Sequence, residues 1–494
     1  MRKYNREAVE FDINKNWRHL VRIILSILLA TDAELGYDPN VVALPSNDPN
    51  SEPVYDITIH NSNTGTMSVY RTVEIISGVG VGSMVGRGTR VWKARRVENG
   101  EPAGPFYALK VIWVHSDRLA EDVLLKEIKE KQPSYSQYFL TPVDHGYAPL
   151  DPAQPSILFD THKPLGREKN LKPTGNVIPT RPRPPGATMS NKASSASRNS
   201  VGHPEATSSS SDEGYRDSRY LSKHPRQTYI IVFKEIGKPV HDLCHFTDVF
   251  TAIRGGWEGL HAIHLCEYVH RDVSSGNMLL VPASGDLSER GVIMDLEYGK
   301  KIEDTKAPDA RMGTEAFMAT EVALMRHHRL SDLRSTKPQP TSLEDIASGV
   351  EDVPLKEIPL PPFRHNPLHD MESIWWLCTW MIFYLVPSQG NAPDPEAYRQ
   401  VFRNPALKRT FLCQPGEFGV CTSHLSELRS LVEQMQRWLS ALNNLYFVSY
   451  KQQDTTTNPL TMIKIDSPTI LTSYQFGQKV LQKLQRPNRQ AALL

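Results

Sequence analysis

Apolar residues along the chain change spacing several times, and each change marks an element. Trp17, Leu20, Val21, Ile24 and Leu28 share one helical face with Arg18, Arg22 and Ser26 set off from it, which predicts an amphipathic helix expected to pack on the body of the chain. From Tyr70 the runs become short and β-like: 73–76, 91–94 and 106–112, with further strands expected at 140–147 and 229–233. Residues 119–131 and 246–268 read as helices, and two short apolar runs follow at 278–280 and 292–294. Residues 369–385 are apolar nearly all round and predict a buried helix, while 425–442 and 476–484 carry weaker helical patterns.

Composition alters this picture in two places. After Ala148 the chain turns rich in proline, including Arg181-Pro182-Arg183-Pro184-Pro185, and then in serine from Ser190 to Ser218. Such a stretch cannot bury enough apolar surface to offset its chain entropy, so 149–226 is expected to be a disordered, solvated insertion within a domain. A second polar, proline-rich insertion is expected over 330–367. At 494 residues the chain has room for a sizeable core, and 56 Lys plus Arg against 55 Asp plus Glu argues for neither a nucleic-acid nor a membrane-surface role. Five scattered cysteines read as free thiols of a reducing compartment. No signal peptide is read at the N-terminus, and the apolar runs at 23–30 and 374–386 fall short of the roughly 18 residues that span a bilayer, so an intracellular protein of cytoplasm or nucleus is expected.

The chemistry concentrates in residues 268–297. Asp272 stands five residues before Asn277, and the second short apolar run ends in Asp295. Two carboxylates and an amide at the ends of short strands suit phosphoryl transfer, which asks the protein chiefly to position groups and to neutralise charge. His270-Arg271-Asp272 through Asn277 resembles the catalytic loop of eukaryotic protein kinases, and Asp295-Leu296-Glu297 resembles their metal-binding Asp-Phe-Gly. That resemblance implies Asp272 as the base, with Arg271 and Ser274 beside it in the loop. It implies Asn277 and Asp295 as ligands of Mg²⁺, and ATP as cofactor.

Other segments extend it. Gly86 and Gly88, followed by Val91, resemble the start of a kinase glycine-rich loop, shortened and without the third glycine. Ala108-Leu109-Lys110 resembles the strand whose lysine meets the α- and β-phosphates, and Glu127 is the expected glutamate partner, with Glu130 its competitor. The hinge that would bind adenine through its backbone falls near Glu235, Ile236 and Gly237. Gly313 to Glu321 resembles the close of an activation segment, with Glu321 expected to pair with an arginine that the sequence does not identify. Tyr298, Thr305, Thr314 and Thr320 are that segment's hydroxyls, and Asp370 is expected to accept N–H groups from the catalytic loop.

Within this superfamily His270 to Asn277, Val85 to Ala94, the 234–239 hinge and His369 to Trp376 resemble the fungal-type protein kinase family. The implied fold is α+β and bilobal, with a small β-rich N-lobe and a larger helical C-lobe carrying two disordered insertions. Its implied boundaries are a helical extension over 1–65, the N-lobe over 66–148, the insertion over 149–226, hinge to activation segment over 227–329, the second insertion over 330–367 and the rest of the C-lobe over 368–494. The implied partner is a protein substrate, with no nucleic acid and no membrane span. Two residues depart from the general pattern: Ser274 replaces a lysine that contacts the transferred phosphate in many serine/threonine kinases, and Glu297 replaces the glycine after Asp-Phe. They keep open a pseudokinase scaffold, and the Asp-x-x-x-x-Asn loop also fits a small-molecule phosphotransferase.

Overall fold

Alternation of apolar and polar side chains builds the first of two units, which comprises Met1–Arg118 and Asp144–Val232. The structure is a computed structural model that describes residues 13–30, 35, 37–45, 52–61, 63–78, 88–151, 154, 156–158, 225–304, 311–335, 359–385, 400–414, 416–456 and 460–485. Seven strands, β1 (Val41–Ala43), β2 (Tyr55–Asn61), β3 (Thr66–Ser77), β4 (Arg90–Glu98), β5 (Glu101–His115), β6 (Pro142–Tyr147) and β7 (Arg226–Phe233), form one sheet in the order β1-β2-β3-β4-β5-β7-β6. Inward positions of successive strands, Ile57, Ile59, Tyr70, Trp92, Leu109 and Ile230 among them, meet in one buried cluster, the outcome that a period of two dictates. Asn61 Nδ2 donates to Asp144 Oδ1 at 2.9 Å and ties β2 to β6.

β1 and β2 lie within the stretch that the sequence pattern assigned to a helical extension. Ile57 and Ile59 alternate with Thr58 and His60, and the half-exposed polar members of that alternation dilute its apolar signal. The amphipathic helix α1 (Ile13–Leu28) does form, but Trp17 and Leu28 on its apolar face remain 54% and 72% exposed, so the expected packing on the body is not what the structure shows. The stretches expected to be disordered lie mostly outside the described residues, as do Gly86 and Thr305.

The second unit comprises Leu119–Val143 and Phe233–Leu494. It contains α2 (Glu121–Lys131), α3 (Phe246–Leu265), α4 (Thr320–Leu324), α5 (His328–Ser335), α6 (Pro367–Tyr384), α7 (Pro405–Cys413), α8 (Glu417–Cys421), α9 (Arg429–Thr456) and α10 (Ser467–Gln485). Its short strands β8 (Lys238–Pro239), β10 (Met278–Val281) and β11 (Arg290–Ile293) form one sheet, and β9 (Tyr268–Val269) pairs with β12 (Lys300–Lys301). α3 can approach β11 closely because Gly255 and Gly291 face each other, where a Cβ on either would run into backbone of the other strand or helix. α6 is buried over most of its length, including Trp375 and Trp376, as an all-round apolar pattern requires. Its start is a capping box, with Asn366 Oδ1 accepting from Leu368 N at 3.0 Å and His369 Nδ1 accepting from Asn366 N at 3.1 Å. No helix among the described residues is long and apolar enough to cross a membrane.

Candidate active site

The loop 270–277 is held from below by one carboxylate. Asp370, in the first turn of α6, accepts from His270 N at 2.7 Å and from Arg271 N at 2.9 Å, and lies 3.1 Å from His264 Nε2. Burial by itself would raise its pKa, but His264, His270 and the Arg271 N–H outweigh burial and hold it down to about 2. Arg271 takes a left-handed backbone conformation, φ 71°, and its Nη2 reaches Met312 Sδ at 3.2 Å.

His270 then joins the loop to the strand that delivers the second carboxylate. Its Nε2 lies 3.0 Å from Met294 O, so this nitrogen carries the proton and donates, while Nδ1 accepts from Asp272 N at 3.3 Å. β10 and β11 place Met278 opposite Ile293, and one step beyond the pair Met294 N donates to Asn277 O at 2.9 Å. Asp272, Asn277 and Asp295 are thereby brought near one another. Asn277 Nδ2 donates to Asp272 O at 2.8 Å, which leaves its side-chain oxygen as the atom to offer a cation. An amide oxygen with a carboxylate is a hard-oxygen donor set, and it fits Mg²⁺.

Asp295 also has a left-handed backbone, φ 65° and ψ 59°, a strained conformation of the kind found at functional sites. Glu121 holds it there: the buried Glu121 carboxylate accepts from Asp295 N at 2.9 Å and Leu296 N at 3.3 Å. Glu127 lies on the same helix but meets Lys131 Nζ at 2.8 Å and the Tyr268 hydroxyl at 2.8 Å. Lys131, then Tyr268 and Lys301, lower its pKa against the effect of burial. Glu121 was not singled out from sequence; Ala120 precedes it, so no polar cap residue marks this helix start.

Residues 313–321 come back to Asp272. Thr314 donates to Asp272 Oδ1 from its N–H at 3.0 Å and from its hydroxyl at 3.1 Å. This approach requires Gly313, at φ 107°, where a Cβ would stand 2.8 Å from Arg271 O. Thr320 is wholly buried, with its hydroxyl near His328 Nε2 and Arg329 Nη1. The arginine expected opposite Glu321 is Arg329, but the partition differs: its Nη2 pairs with Glu372 at 3.1 Å, whereas Glu321 accepts the Arg329 backbone N–H at 3.0 Å. Glu321 also takes His327 Nδ1 at 3.1 Å, His369 Nε2 at 3.2 Å and the Tyr450 hydroxyl at 2.7 Å.

Among the described residues Glu321, His327 and His369 bring three potential ligand atoms within 4.8 Å of one another. They do not fit a metal. Asn366 N donates to His369 Nδ1 at 3.1 Å and Arg364 N to His327 Nε2 at 3.4 Å, so the nitrogens facing Glu321 carry the protons. A metal-bound histidine donates its other ring N–H outward, and here both outward positions meet backbone donors.

The remaining expected residues sit as follows. Lys110 is 1% exposed on β5 and lies directly across from Val91 in the sheet register. Gly88 has φ 56°, a conformation that suits glycine, at the entry to β4. Glu235 spends its carboxylate on Thr141, with its oxygens 2.7 Å from the N–H and 2.8 Å from the hydroxyl. A Cβ on Gly237 would stand 2.7 Å from Leu279 Cβ, so the connection runs tight against β10. Ser274 is buried within the loop and its carbonyl accepts from Asn277 N at 3.2 Å. Glu297 is buried two residues after Asp295.

A β-rich unit, a larger helical unit and this constellation define a protein of the protein-kinase class. The description "fungal protein kinase" matches residues 5–382, and the chain belongs to that family. No curated protein matches it. A solved structure of vaccinia related kinase 3 is similar at 11% identity, covering 92% of this chain and 97% of that one with a TM-score of 0.39, and no part of the assignment rests on it.

Proposed function

We propose that the chain is an ATP-dependent protein kinase that transfers the γ-phosphoryl group to a protein hydroxyl. The observation that carries this reading is the fixing of Asp272: its loop is seated on Asp370, its backbone N–H on His270, and one carboxylate oxygen on Thr314. ATP would supply the phosphoryl group and Mg²⁺ the charge neutralisation, with Asn277 and Asp295 as the metal's ligands and Lys110 on the phosphates. Asp272 orients the substrate hydroxyl and accepts its proton. Glu121 takes a supporting role not foreseen from sequence, since it holds the Asp295 backbone in its left-handed turn.

Ser274 and Glu297 favour a second reading, a nucleotide-binding scaffold. Loss of a lysine contact costs about 3 kcal/mol of barrier, near a hundredfold in rate, which slows transfer without abolishing it. The deciding experiment is a thermal-shift titration with ATP and Mg²⁺, beside Asp295→Asn, followed by radiolabelled phosphate transfer with Asp272→Asn as control. The expected outcome is a metal-dependent shift that Asp295→Asn removes, and label that falls by about 10²- to 10⁴-fold in Asp272→Asn. A shift without label in wild type would leave a nucleotide-binding scaffold or a kinase awaiting its own substrate.

A further inference from the structure

A lysine is almost never fully buried unless its ammonium is satisfied. Lys408 on α7 is 1% exposed, and its Nζ donates to Met318 O at 2.6 Å and to Glu315 O at 3.0 Å while standing 4.7 Å from the Trp376 ring centroid. A methionine would fill the same space without the desolvation that a buried amine costs, so filling the core does not explain a lysine here. Its two carbonyl acceptors belong to a single turn, closed by Phe317 N and Met318 N donating to Thr314 O at 2.9 and 3.0 Å. That turn is fastened on each side: Thr314 to Asp272, and Thr320 N to Glu372 Oε1 at 2.7 Å. Phe317 packs edge-on against Trp380 beneath it.

We propose that Lys408 is a positioning residue that fixes the turn 314–318 from below, and so sets the hold of Thr314 on Asp272 and the platform that receives the protein substrate. The ordering role stands on the contacts above, and the platform role rests on the kinase reading. α7 lies beyond the stretch that the family description matches, so this fastening is contributed by the C-terminal part of the chain.

The test is hydrogen exchange on the full chain, with peptides covering 313–319, α3 and α9, for wild type and Lys408→Met, which keeps the stem and deletes the donors. Exchange over 313–319 is expected to quicken by about tenfold or more with α3 and α9 unchanged. With dephosphorylated casein as acceptor, its KM should rise by about fivefold at an unchanged KM for ATP. Unchanged exchange over 313–319, or equal acceleration in all three regions, would overturn the proposal and leave Lys408 a core residue. Should Lys408→Met not fold, Lys408→Gln, which retains two donor hydrogens on a shorter stem, must show the same confinement to 313–319. A wild type that labels neither itself nor casein would remove the kinase reading and the platform role together, whereas the exchange data decide the ordering role by themselves.

Discussion

Two buried polar hubs lie within the helical unit, and they are built on opposite principles. Around Asp370 the partners are chiefly backbone N–H groups of one loop, with a histidine behind them. Around Glu321 and Glu372 the backbone N–H groups of Arg329 and Thr320 also donate, but most partners are side chains from separate elements: Arg329 and His327 by α5, His369 and Trp376 on α6, Tyr446 and Tyr450 on α9. The first hub specifies the shape of a loop; the second joins helices. A charge that loses a joint should loosen the whole unit, and one that loses a loop should spoil positioning more than folding.

Four measurements would break or sharpen that contrast. Arg329→Met leaves Glu372 buried without its cation, and the expected cost is about 3–5 kcal/mol of unfolding free energy by urea titration. A cost near that of an ordinary surface change would end the distinction. Asp370→Asn should cost less in stability, about 2 kcal/mol, because the backbone donors keep an amide oxygen as acceptor and lose only its charge. Its phosphoryl transfer should nonetheless fall by about a hundredfold through misplacement of Asp272. The last effect is in pH. The Asp370 carboxyl titrates near 2 when folded against 3.8 ordinarily. Its contribution is therefore complete above the ordinary value and lost as pH falls toward 2; Asp370→Asn should flatten acid unfolding in that window by about 2 kcal/mol.

The class of the protein was legible in sequence because its densest constraints are local. Asp272, Asn277 and Asp295 stand at spacings that two short strands convert directly into proximity. Asp370 was legible as well, through the resemblance of the 369–385 helix to the central helix of a kinase C-lobe. The residues that escaped notice act across long sequence separations. Glu121 lies 174 residues from the backbone it holds, and Lys408 lies 90 residues from Met318. Nothing in the local pattern distinguishes Glu121 from Glu127; only packing shows that the former is buried against the Asp295 turn and the latter answers Lys131 and Tyr268. Arg329 could not be found from Glu321 because the guanidinium goes to Glu372 and the backbone N–H goes to Glu321.

The tight seat of α10 on α3 has a practical consequence for anyone cutting this chain into pieces. Gly477 lies against the Trp257 indole so closely that a Cβ would collide, and the indole Nε1 donates to Tyr474 O at 3.1 Å. Tyr474 in turn stacks on His261 at 3.6 Å and donates to Glu258. A fragment ended at residue 382, where the family description stops, would bare a tryptophan, a histidine and a carboxylate on the helix that leads into the catalytic loop. Recombinant boundaries chosen by motif would thus yield a sticky product, and those extended through Gln485 would retain a finished surface.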